Sequence, residues 1–217
     1  MILGKPGAGK GSLCNIFIER ENLCHVSTGD IFRREIASKS ELGVLADSYI
    51  SKGQLCPDDV TNRIIEKLLM ENPDRSYLFD GYPRTVNQAQ DLEKSLKKLG
   101  KNLDACIKLT VPDDLVILRL TSRRVCSNCQ AIYNTRNHNP KVEGICDICG
   151  GKIITRADDN KDAIMKRLNV YENQTRPLVD YYTNNGLLVE VDGRLDSDVL
   201  YLEVKKILDS RSQNLSK

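Results

Sequence analysis

The chain predicts an α/β fold: a parallel five-stranded sheet with helices on both faces, opened by a phosphate-binding loop (P-loop) and carrying a small zinc-ribbon-like insertion. Three observations predict it. Five short apolar runs, starting at Met1, Leu23, Ser76, Ala105 and Leu187, alternate with stretches of helical periodicity, the pattern of a parallel sheet covered on both faces. The first run turns at once into a glycine-rich loop, Gly4-Lys-Pro6-Gly7-Ala8-Gly9-Lys10-Gly11-Ser12. From Cys126 to about Asp159 the composition shifts to cysteines, glycines and asparagines with short β-like runs.

Each element has its own signal. Met1–Leu3 is a first strand shorter than the usual five or six residues, either abbreviated or missing a few preceding residues. Helical spacing marks Lys10–Arg20, Asp30–Ser38 and Glu41–Ser51. Pro57 opens a further helix that Asn72-Pro73 stops. Ser76–Phe79 reads as a buried strand ending at Asp80-Gly81, Thr85–Leu99 as a helix closed by Gly100, and Ala105–Val111 as a strand. Pro112 starts the helix carrying Arg119. Lys161–Asn184 reads as one long helix, Leu187–Val191 as a strand and Asp198–Leu208 as a closing helix, with a frayed tail over Ser210–Lys217.

Size and composition exclude several classes. At 217 residues, one domain with an insertion fits better than two equal domains. A net charge of +2 gives no reason to expect a large nucleic acid, although a small polyanion needs only a local arginine cluster. No apolar run approaches the ~20 residues of a membrane span, and no basic-then-apolar leader precedes the loop. Eight cysteines could mean a secreted, bridged protein. Four of them stand in two Cys-x-x-Cys pairs, however, and Cys14, Cys24, Cys56 and Cys106 are scattered, so reduced thiols with a metal, in cytoplasm, is the expectation.

The glycine-rich loop carries the first chemistry. Its glycines let successive N–H groups point inward at a helix N-terminus, a concave anion site. Lys10 can reach outer phosphates and Ser12 a bound Mg²⁺. Read blandly, it is a turn joining strand to helix. Cys126-x₂-Cys129 and Cys146-x₂-Cys149, sixteen residues apart, have the spacing of a four-thiolate zinc site, closed and therefore structural. Two disulfides or a redox pair are the alternatives. Asp80, ending a buried strand, suits a carboxylate that holds Mg²⁺ through water, and Gly81–Pro83 is a stiff turn aiming Arg84 across the crevice. Ahead of the second helix, Thr28 or Asp30 is expected as the cap, with Arg33 one turn in. Gln88 sits in a capping-box pattern with Thr85, and its amide also matches the edge of adenine. Arg119, Arg123, Arg156 and Arg167 flank the insertion, the first two one helical turn apart. They read as bidentate phosphate donors or as a solvated basic face, which is the reading given to Arg124, Lys161 and Lys166.

Gly-x-Pro-Gly-x-Gly-Lys-Gly followed by a hydroxyl, together with Asp80-Gly81-Tyr82-Pro83-Arg84, resembles the loop and the Asp-Gly-Phe/Tyr-Pro-Arg signature of adenylate kinases. The resemblance runs from Gly4 through Gly193, and the cysteine-rich insertion stands where that family carries a mobile lid, often with metal-binding cysteines. It implies a core at 1–26, 57–122 and 160–217, a segment for the nucleoside monophosphate at 27–56 and a lid at 123–159. It further implies reversible phosphoryl transfer from ATP to AMP giving two ADP, with Mg²⁺ accompanying ATP, a structural Zn²⁺, and a cytoplasmic monomer with no nucleic acid or membrane partner. Gly7, Ala8, Gly9, Lys10, Gly11, Ser12, Arg119, Arg123, Ile132 and Tyr133 would bind ATP, with the backbone of Leu195 on its adenine. Thr28, Arg33, Gln54, Leu55, Cys56, Gly81, Tyr82, Pro83, Arg84 and Gln88 would bind AMP, Cys56 through its main chain. Arg156 and Arg167 would grip the phosphates between the two. Lys10, Arg84, Arg119, Arg123, Arg156 and Arg167 are the implied catalytic charge neutralisers. The rivals are a kinase for UMP, CMP or GMP, and a nucleic-acid-binding zinc ribbon attached to an ATPase. The insertion lacks the interleaved aromatics and dense lysines that the latter uses.

Overall fold

Residues 1–215 are described by a computed structural model. The chain runs β1 (Ile2–Gly4), α1 (Lys10–Arg20), β2 (Cys24–Ser27), α2 (Thr28–Ser38), α3 (Glu41–Ile50), α4 (Asp58–Glu71), β3 (Tyr77–Asp80), α5 (Val86–Lys98), β4 (Cys106–Thr110) and α6 (Asp113–Ser122). The insertion follows as β5 (Arg123–Cys126), β6 (Ile132–Asn134) and β7 (Ile153–Ile154), and α7 (Lys161–Val170), α8 (Pro177–Asn184), β8 (Leu188–Asp192) and α9 (Ser197–Leu215) return to the main body. The main sheet is five-stranded in the order β2-β3-β1-β4-β8, every pair parallel.

Side chains alternate across the pleat, and each face has its own core. Ile2, Leu78 and Ile107 point into one cluster with Leu13 and Phe17 of α1, Leu120 of α6 and Val204 of α9. Leu3, Phe79 and Cys106 point into the other, with Ile65, Leu69, Leu92, Leu178 and Tyr182. Parallel pairing with registers Ser27↔Asp80 and Gly4↔Leu109 brings the carboxyl ends of β1, β2 and β3 to one edge, where ligands of such sheets bind. Two smaller clusters lie apart from these cores: Phe32, Ala46 and Cys56 within α2, α3 and the turn after them, and Cys126, Tyr133 and Cys146 in the antiparallel sheet β6-β5-β7.

Four expectations are corrected. The cap of α2 is Ser27, whose hydroxyl accepts from Asp30 N–H at 3.3 Å, because the helix starts two residues early. Lys161–Asn184 is not one α-helix. Pro177 offers no N–H to continue the ladder, and Tyr171–Thr175 forms a π-turn before α8. Arg119 and Arg123 do not share a helical face, since Arg123 is already extended (φ −66°, ψ 140°) where α6 gives way to β5. The closing helix extends to Leu215, leaving only the last two residues of the expected frayed tail outside the described ones.

Candidate active site

The loop between β1 and α1 is shaped by contact with α6. At Gly7 φ is +81°, and a Cβ there would lie 2.8 Å from Leu120 Cγ and 3.0 Å from the Val116 carbonyl, so a side chain is excluded by both strain and space. The first turn of α1 has no side-chain cap and no acidic residue. Its N–H groups and the positive end of the helix dipole are left for an anion. Lys10 folds back over the loop, its ammonium donating to the carbonyls of Gly4 (2.7 Å) and Lys5 (2.8 Å). Burial pulls its pKa down to about 8, with Arg84 and Arg167 pushing the same way and Asp80 opposing. Asp80 sits beside the loop, 3.9 Å from where a Gly11 Cβ would be. Burial pushes its carboxyl up, but His25, Lys10 and Arg84 outweigh this and hold it below the usual range.

The same crevice continues under α2, lined by Lys10, Thr28, Arg33, Gln54, Leu55, Cys56, Gly81, Pro83, Arg84, Gln88 and Arg167. The Gly81 carbonyl organises its floor, accepting from Thr28 Oγ1 at 2.8 Å and from Arg84 Nε at 2.7 Å. Gln88 is 2 % exposed. Its Nε2 donates to Asp58 (2.6 Å) and its Oε1 accepts from the Arg84 N–H (2.8 Å), while Thr85 Oγ1 caps α5 at the Gln88 N–H (3.1 Å). Tyr82 turns away into the core, its hydroxyl donating to Asn62 Oδ1 at 2.8 Å.

The arginines around the insertion meet a carboxylate pair. Arg123 donates to both oxygens of Asp159, at 2.8 and 2.5 Å, and Arg167 reaches Asp159 at 3.2 Å and Asp158 at 2.9 Å. Arg156 stands beside them with its buried Nε unpartnered, as is that of Arg33. Burial, reinforced by Arg123 and Arg33, brings the Arg156 pKa down to about 9. Burial likewise lowers those of Arg84, Arg167 and Arg119, and Arg167 adds to the effect at Arg84. Arg119 takes a different position, donating to Ala8 O (3.3 Å) and Gly193 O (2.9 Å), and so ties the loop to the turn that carries Leu195. Sequence reasoning missed Asp58, Asp158, Asp159 and the crevice-lining Tyr171 and Thr175 of the π-turn. Adjacent acids two residues beyond Arg156 were an available signal for the pair. A proline inside helical periodicity was one for the turn.

In the insertion the four cysteine sulfurs converge. Cys126–Cys149 and Cys129–Cys146 each stand 3.5 Å apart, too far for a disulfide of about 2.05 Å and near the ~3.8 Å between ligands of a tetrahedral zinc with 2.3 Å bonds. A Cβ on Gly151 would lie 2.9 Å from Cys126 Sγ, so the backbone passes the sulfurs at glycine distance. The Tyr133 hydroxyl donates to Cys146 Sγ (3.4 Å) and accepts from the Asp147 N–H (2.8 Å). That bond helps bring the Cys146 thiol down to about 6. Tyr133 is thus held in the insertion's own core, whereas Ile132 reaches to 3.2 Å from a Gly11 Cβ and covers the loop.

A P-loop at the carboxyl edge of a parallel sheet, facing a crevice rich in arginine, defines a phosphotransferase that acts on nucleotides. Comparison with known proteins agrees. The adenylate kinase family model matches residues 2–187. The adenylate kinase of Caldanaerobacter subterraneus subsp. tengcongensis is 45% identical over 209 residues, 96% of this chain and 95% of that protein. Those of Clostridium tetani (42%, covering 96% and 97%) and Thermoanaerobacter pseudethanolicus (42%, covering 98% and 99%) are similar along almost their whole length. The chain belongs to the adenylate kinase family and is a nucleoside monophosphate kinase.

Proposed function

We propose that the protein catalyses reversible transfer of the γ-phosphoryl of Mg²⁺-bound ATP to AMP. The observation that carries this reading is the surplus of buried positive charge. Lys10, Arg33, Arg84 and Arg167 line one crevice, with Arg156 close to Arg33 beside it, and burial and mutual repulsion lower the pKa values of Lys10, Arg84 and Arg156. Two facing phosphate chains would supply the missing counter-charge.

Phosphoryl transfer asks for alignment and charge neutralisation rather than a protein nucleophile. An oxygen of the AMP phosphate forms the new bond to the γ-phosphorus, and the bond to the β–γ bridging oxygen breaks, leaving ADP on both sides. The loop N–H groups and Lys10 hold the donor phosphates. Arg84 and Arg33 hold the acceptor. Arg156 and Arg167 would grip the phosphates of both, with Asp159 holding Arg123 and Arg167 and Asp158 holding Arg167. Asp80 would hold, through water, the Mg²⁺ that accompanies ATP, an ion that would neutralise phosphate charge there. Cys126, Cys129, Cys146 and Cys149 would hold a zinc ion, which would fix the shape of the insertion. The separate small cores of segments 27–56 and 123–159 support treating each as a unit that closes on its nucleotide, excluding water.

One coupled assay tests the reading: ATP is offered with AMP, UMP, CMP or GMP in turn, and alone. ADP formation that depends on AMP is expected. Faster turnover with another monophosphate, or hydrolysis without any and stimulated by nucleic acid, would overturn it.

A further inference from the structure

At the edge of the nucleotide crevice, three side chains of different chemistry converge where α1 lies over β2 and β3. Cys14 on α1, His25 on β2 and Asp80 at the end of β3 place one sulfur, one imidazole nitrogen and one carboxylate oxygen all within 4.8 Å of one another. Cys14 is fully buried, and His25 and Asp80 are partly so. The His25 Nε2 is buried and has no hydrogen-bond partner. At 3.8 Å from Asp80 Oδ2 it is too far for a direct bond and faces the carboxylate across a gap. A buried nitrogen with a free lone pair or proton, beside a thiol and a carboxylate, is a costly arrangement unless something bridges it.

We propose that Cys14, His25 and Asp80 form a second site for a soft divalent cation such as zinc, separate from the four-cysteine site, and that its filling draws Asp80 away from the nucleotide crevice and inhibits phosphoryl transfer. The donor set selects the ion. Thiolate and imidazole favour zinc-class metals over Mg²⁺, which prefers oxygen. One thiolate, one carboxylate and a neutral imidazole cancel the charge of a divalent ion, so the filled site carries no net charge into a partly buried location. Donor separations in tetrahedral zinc sites are about 3.3–3.8 Å; His25 and Asp80 already stand at 3.8 Å and no pair exceeds 4.8 Å, so closure asks for a shift of at most on the order of 1 Å. A water can complete the tetrahedron from the crevice side. Mg²⁺ with the nucleotide and zinc with Cys14 and His25 thus compete for one carboxylate. The stoichiometry of this site is independent of the kinase reading, while the inhibition rests on it.

The test uses the full chain with its four-cysteine site zinc-loaded, dialysed against graded free Zn²⁺, with bound metal and ADP formation measured on the same samples. Wild type is expected to take up a second zinc and lose activity in step, and MgATP present beforehand should raise the zinc needed. Cys14→Ser and Cys14→Ala should stop at one zinc and stay active at zinc levels that silence wild type. Their activity and melting temperature without added zinc check that they are folded. In wild type, Co²⁺ supplied for the second position should give a thiolate-to-cobalt charge-transfer band that Cys14→Ser lacks. Saturation of wild type at one zinc, or a second zinc retained by both variants, overturns the site. A second zinc lost with Cys14 but without effect on wild-type turnover upholds the site and overturns the inhibition.

Discussion

Lys10 illustrates how a single residue can be poised by its own loop. Its ammonium rests on two main-chain carbonyls, contacts that hold it near the phosphate position at the expense of hydration. Burial lowers its pKa to about 8 from an ordinary 10.5. The sign follows from linkage: a folded-state pKa below the unfolded one penalises the folded state below about pH 8, and the penalty fades as pH rises toward 10.5. Phosphates favour the protonated form, so nucleotide binding at pH 8.5–9 should take up protons from solution, and affinity should fall as pH rises through about 8. Calorimetry in buffers of different ionisation heat measures this, and Lys10→Met should abolish the uptake. The same substitution should lower kcat by roughly 10²–10³-fold, the usual loss for one transition-state donor, without lowering the melting temperature, because it removes a buried cation. Lys10 was legible because its motif is local. Gln88 was legible only as a residue worth naming: its partner Asp58 lies thirty positions back, a contact that the packing of α4 against α5 creates and no local pattern encodes.

At the scale of elements, the insertion has, under the proposed function, two supports that can be removed separately. The first is a zinc ion held by its four converging cysteines. A segment of some thirty residues cannot bury enough apolar surface to fold alone, so chelation, or Cys129→Ser, should lower the melting temperature more than it lowers the initial rate measured below that temperature. Immediate loss of rate in a still-folded protein would mean that zinc takes part in the reaction. The second is Asp159, whose fully buried carboxylate holds Arg123 and Arg167. Asp159→Asn leaves two buried guanidinium groups short of an anion, and breaking such a pair costs about 3–5 kcal/mol. A phosphate-rich ligand restores the missing charge, so the deficit in melting temperature should shrink when ADP is present at saturation. The zinc knuckles were legible from spacing alone. Arg123's departure from the helix was not. Its periodicity continues that of α6, and only pairing with Asn134 on β6 draws the backbone into an extended strand. Tertiary hydrogen bonds override local spacing there, as Pro177 does at the π-turn.

For the whole molecule the decisive quantity is how charge is distributed rather than its sum. A net charge of +2 says nothing of a crevice in which the first loop, the turn after β3 and α7 bring Lys10, Arg84 and Arg167 together, with Arg156 and Arg33 close to each other at its side. A ligand spanning the full crevice meets all of these cations and loses translational freedom once, whereas two separate nucleotides lose it twice. Two adenosines joined through five phosphates should therefore bind more tightly than ATP or AMP alone. At ~1,000 times its Kd such a ligand adds about 4 kcal/mol, and for a chain of this length each kcal/mol raises the melting temperature by roughly 2–4 °C, which gives a shift on the order of 8–16 °C. Arg156→Ala and Arg167→Ala should weaken the linked ligand more than they weaken either nucleotide by itself, since in the proposed function both residues would serve the junction. Equal losses for all three ligands would place the arginines on one nucleotide only, and the two halves would then not meet where the crevice is most positive.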